Sequence, residues 1–124
     1  MPYDSADLHH GEGITKLRFL IAPSHGGGRA VVTFHNSSAT HLGAPNDEAL
    51  SGHRLAQHGL QAYAFQEVTN SDWIAEMEFR NRVHYGHTPS MFEGLRHFIL
   101  SFHDETFECV ARSFTWTREE VRSQ

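Results

Sequence analysis

Alternation of apolar and polar positions marks the first regular elements. In residues 16–22 Leu17, Phe19 and Ile21 share one face, and in residues 29–35 Ala30, Val32 and Phe34 do the same, with a glycine run at 26–28 between them. A period of two on both sides of a Gly-rich connection predicts an antiparallel hairpin. Val31, Thr33 and His35 then fall on the opposite face. Further along, residues 97–103 and 106–114 alternate in the same way and predict a second hairpin that turns at Asp104-Glu105. Setting Phe102 opposite Phe107 pairs Leu100 with Cys109 and Phe98 with Ala111 on a core face. The other face carries His97, Ile99, Ser101 and His103 with Thr106, Glu108, Val110 and Arg112. Residues 61–69, with Tyr63, Phe65 and Val68, predict a single further strand.

The period changes after Asn70-Ser71-Asp72, a helix-start signal followed by Trp73, Ile74, Met77 and Val83, with Gly86 placed to end the run. Glu76–Arg80 and Glu78–Arg82 are acid-before-base pairs four apart, which support a helix to about residue 84. Thr88-Pro89 opens a second short helix, and Thr117-Arg118-Glu119-Glu120 has capping-box spacing that predicts a terminal helical turn. Residues 36–45 read as a polar connection, and Asp47-Glu48 as the start of a short helix. Residues 1–15, polar and broken by Gly11 and Gly13, read as a flexible arm before a single domain over 16–124. The predicted class is α+β, with about five mostly antiparallel strands, two hairpins plus one strand, and one main helix packed on the sheet.

Composition narrows the function classes. With 124 residues, 39% of them hydrophobic, nine Phe, three Tyr and two Trp, the chain can bury a core of its own. The ten basic residues are scattered and the formal charge is −5, which argues against nucleic acid as a partner. No run approaches the roughly 18 apolar residues of a membrane helix. One cysteine, Cys109, and a start without basic and apolar blocks predict a cytoplasmic protein with no internal disulfide.

Eleven histidines are the compositional outlier. Imidazole titrates near neutrality and is the commonest metal ligand, so a histidine cluster would carry acid–base or metal chemistry. The mixed face of the second hairpin is the strongest candidate, with Ser101 expected opposite Glu108 and His103 opposite Thr106. His97 and His103 lie about 20 Å apart along a straight strand, so only one of them can belong with Glu108. Candidate catalytic residues are therefore His103, Glu108, Ser101 and Asp104. Candidate ligands for a divalent metal are His35, His53, His103 and Glu108. The sequence contains neither H-E-x-x-H nor G-x-S-x-G, and Cys109 falls on the core face, where a thiol is an inert small hydrophobe. The expected function is a small His-rich enzyme using His/carboxylate acid–base or divalent-metal chemistry on a small molecule. The alternative is a noncatalytic small-molecule-binding or homo-oligomeric module, and in either case the default assembly is a homodimer.

Overall fold

A computed structural model describes residues 7–21, 26–43, 65–102 and 105–120. Among the described residues eight strands run β1 (Asp7–Gly11), β2 (Ile14–Leu20), β3 (Arg29–His35), β4 (Ala39–Gly43), β5 (Phe65–Val68), β6 (Arg96–Ser101), β7 (Thr106–Ala111) and β8 (Ser113–Glu119). Helix α1 (Asp72–Asn81) and a 3-10 turn (Pro89–Phe92) lie between β5 and β6. The strands form two antiparallel four-stranded sheets, in the orders β1-β2-β3-β8 and β4-β7-β6-β5. Among the described residues no helix is long and apolar enough to cross a membrane.

The sheets face each other over one core. Leu17, Phe19, Ala30, Val32 and Phe34 of the first pack against Phe98, Leu100, Phe107, Cys109 and Ala111 of the second. Ring pairs cross the gap, Phe19 with Phe102 at 5.2 Å and Phe34 with Phe107 at 5.4 Å. The alternation in the first hairpin is realised directly, with Leu17 opposite Val32 and Phe19 opposite Ala30.

The expected architecture of about five strands with a helix on one sheet is corrected to eight strands in two facing sheets. Three strands come from segments read otherwise. Glu12 and Gly13, at φ 53° and 75°, make a two-residue turn that folds β1 back onto β2, so a hairpin forms where Gly11 and Gly13 predict a flexible arm. β4 arises inside the polar connection because Ala39–Gly43 pairs along β7. β8 replaces the expected terminal helical turn, since Ser113–Glu119 pairs along all of β3 and long-range pairing overrides a local capping pattern. A bend at Arg112, whose N–H donates to His35 O at 3.1 Å, sends the chain from the second sheet into the first. The expected helix after Thr88 is only a 3-10 turn, and α1 stops at Asn81.

The second hairpin forms with its register moved by two residues. Leu100 faces Phe107, Phe98 faces Cys109, Ile99 faces Glu108 and Ser101 faces Thr106. A shift of two leaves every side chain on its expected face while changing every neighbour. The ladder continues to Phe102, whose N–H donates to Glu105 O at 2.7 Å.

Cys109 is wholly buried, and desolvation pushes its thiol up to about 12. Since the thiolate is the reactive form, a thiol reagent at neutral pH is expected to modify Cys109 far more slowly in the native protein than in denaturant. Equal rates in the two states would contradict this core placement.

Candidate active site

The face of β6 and β7 turned away from the other sheet is buried, although it carries polar groups. Ser101 and Thr106 are at most 1% exposed, His97 is 1% and Glu108 6%. A polar group this dry requires partners. Glu108 lies opposite Ile99 on β6, and His97 lies opposite Val110 on β7, so the two are diagonal neighbours within reach of their side chains. His97 Nε2 meets Glu108 Oε1 at 2.8 Å.

The other ring nitrogen leads to the helix. His97 Nδ1 lies 2.7 Å from Ser71 Oγ. Ser71 is the N-cap of α1, in extended conformation, and its Oγ accepts the Ile74 N–H at 3.2 Å. With Glu108 ionised its oxygens only accept, and His97 Nε2 is then the donor of that bond. When the ring carries only that proton, Nδ1 is the acceptor and Ser71 O–H the donor of the second contact. The result is a continuous chain, hydroxyl to imidazole to carboxylate. Trp73 closes over the ring edge-on, 5.2 Å from His97 at 76°.

Ser71 lines a groove of about 880 Å³ between one side of α1 and the segments flanking β5 and β6. Ile74, Phe79, Phe92 and Leu95 give it an apolar lining. Its cations are held in ion pairs. Arg96 donates to Glu67 at 2.7 and 3.0 Å, which holds the Glu67 carboxyl below its usual range. Arg82 donates to Glu78 at 3.0 and 3.1 Å, with the same effect on that carboxyl, and His87 Nε2 reaches the same group at 3.2 Å.

The expected site residues are only partly brought together. Ser101 and Glu108 share the buried face, but Ser101 faces Thr106 and Glu108 faces Ile99, so the expected Ser101–Glu108 rung is absent. His103, Asp104 and His53 lie outside the described residues. His35 sits on the outward face of the first sheet, where its Nε2 lies 3.1 Å from Thr115 Oγ1, with the sandwich core between it and Glu108. Among the described residues no three His, Cys, Asp or Glu side chains are grouped to hold a metal ion, so His35 and Glu108 do not form one centre.

Sequence reasoning missed the partner that Glu108 takes. The alternation puts His97 on the correct face, but the expected register sets it four residues from Ser101, the expected partner of Glu108. The two-residue shift makes it diagonal to Glu108. Ser71 was legible only as a helix cap, and nothing local showed that the cap also faces an imidazole 26 positions away. Comparison with protein families, with curated proteins and with solved structures finds no match to this chain.

Proposed function

We propose that the protein is a small-molecule hydrolase or acyl-transfer enzyme with Ser71 as nucleophile, His97 as general base and Glu108 as the group that orients and stabilises the imidazole. The observation carrying this reading is the Ser71 Oγ–His97 Nδ1 contact at 2.7 Å, backed by His97 Nε2–Glu108 Oε1 at 2.8 Å. A weak hydroxyl nucleophile is activated when a base within hydrogen-bond reach is itself held by a third group. As Ser71 Oγ bonds to an acyl carbon, its proton passes to His97 Nδ1 and Glu108 carries the opposing charge. The proton then leaves with the departing alkoxide or amine, and water repeats the cycle to free the acid. The groove of about 880 Å³ is in the size range of small-ligand sites. A cytoplasmic setting belongs to this reading, supported by a lone, buried thiol.

A fluorophosphonate probe tests it, with the labelled peptide located by mass spectrometry. Labelling is expected at Ser71, with the rate lowered about 10²-fold or more in His97→Ala and no adduct in Ser71→Ala. Wild-type protein that takes up no probe would sink the proposal.

One observation favours a second, noncatalytic reading. Ser71 Oγ is occupied by Ile74 N–H, and α1 has no buried residue, so the Ser71–His97 bond tethers the helix to the sheet. On that reading the groove binds a ligand without turning it over. Ser71→Asp keeps a capping oxygen while removing the hydroxyl. Lost stability in this variant despite the retained cap, with no probe uptake by wild-type protein, is the pattern of a tether.

A further inference from the structure

We infer that β8 is a self-association edge, through which two copies of this chain pair antiparallel about a two-fold axis at Trp116. Among the described residues β8 pairs with β3 alone and ends its sheet. It is seven residues long and exposed at every position except Phe114, and Trp116 is 60% exposed. Long exposed edges are open templates for another strand, and proteins usually blunt them with short length or charge. The opposite edge, β1, has five residues and carries Asp7, His9 and His10, and β5 in the second sheet has four with Glu67. β8 keeps its two charges, Arg118 and Glu119, at one end.

The sequence of β8 complements itself. One antiparallel register alone pairs all seven residues, and it centres on Trp116. On the face that bears Phe114, Trp116 and Arg118, it sets Trp116 against its own copy, while Arg118, whose guanidinium donates to Gly27 O at 2.8 and 3.1 Å, shares a rung with Phe114 of the second copy. An aromatic pair is a favourable cross-strand contact. On the other face Thr115 meets Thr117, and Ser113 meets Glu119, whose carboxylate accepts from the hydroxyl. Like charges never stand opposite each other. Because the contact is isologous, it closes after two copies and joins the first sheets into one of eight strands.

Sedimentation velocity over a concentration series reads the assembly directly. Wild-type protein is expected to dimerise, and Trp116→Lys, which opposes two ammonium groups at the axis, to weaken the dimer about thirty-fold or more. Trp116→Cys gives a second, independent measurement, since a residue facing its own copy should form an intermolecular disulfide under mild oxidation. The buried Cys109 leaves wild-type protein as the uncrosslinked control. A wild-type protein monomeric throughout, a dimer unaffected by Trp116→Lys, or a Trp116→Cys variant that stays uncrosslinked would each overturn the assignment.

Discussion

Phe34→Ala is expected to cost about 3–5 kcal/mol, enough to remove much of the stability of a domain this size. Phe34 is fully buried and touches rings from both sheets, with centroids at 5.5 Å to Phe98, 5.4 Å to Phe107 and 6.3 Å to Phe65 and Phe114. Truncation removes the ring and leaves a cavity between two sheets whose backbones are held by their own ladders, so the space cannot collapse. Phe65 lies at the rim of the same cluster and is 39% exposed, so Phe65→Ala should cost clearly less. Urea unfolding of the two variants checks the order. Equal losses, or a Phe34 value under about 1.5 kcal/mol, would mean that Phe34 does not sit at the centre of the core.

The second large effect belongs to the buried pair. His97→Leu removes the hydrogen bond between His97 Nε2 and the Glu108 carboxylate in a dry site, and losing a bond to a buried charged group costs about 1.5–3 kcal/mol. Exchanging both members for leucine is expected to recover most of that loss, because an apolar pair of similar volume avoids the desolvation of both groups. The comparison also separates stability from chemistry. The double-leucine variant should fold like the native protein while lacking any base beside Ser71. If His97→Leu costs less than about 1 kcal/mol, water reaches the pair and the proposed dry relay fails.

Local pattern revealed the strands that alternate, and it revealed the faces. Leu17, Phe19, Val32, Phe34, Phe98, Leu100 and Cys109 all lie in the core, as their spacing predicts. Strands whose apolar content is thin escaped, because β4 and β8 owe their form to β7 and β3 and not to their own residues. The candidate site suffered from a finer error. A period-two pattern is unchanged by a slide of two, so the sequence could place Glu108 and His97 on one face without choosing which histidine Glu108 meets. Ser71 was beyond reach for a different reason, since a contact between a helix cap and a strand depends on how the helix docks.

The pairing of β3 with β8 also has a consequence for how the protein is made. Arg29 lies opposite Glu119, so the strand completing the first sheet is synthesised last of all eight. Roughly 80 residues lie between β3 and β8, which at about 5–20 residues per second leaves the β3 flank bare for several seconds on the ribosome. During that interval the unfinished sheet offers its strand edge to any neighbouring nascent chain. Translation speed across residues 36–112 therefore sets how long each growing polypeptide is vulnerable, and slow decoding there would favour aggregation over folding.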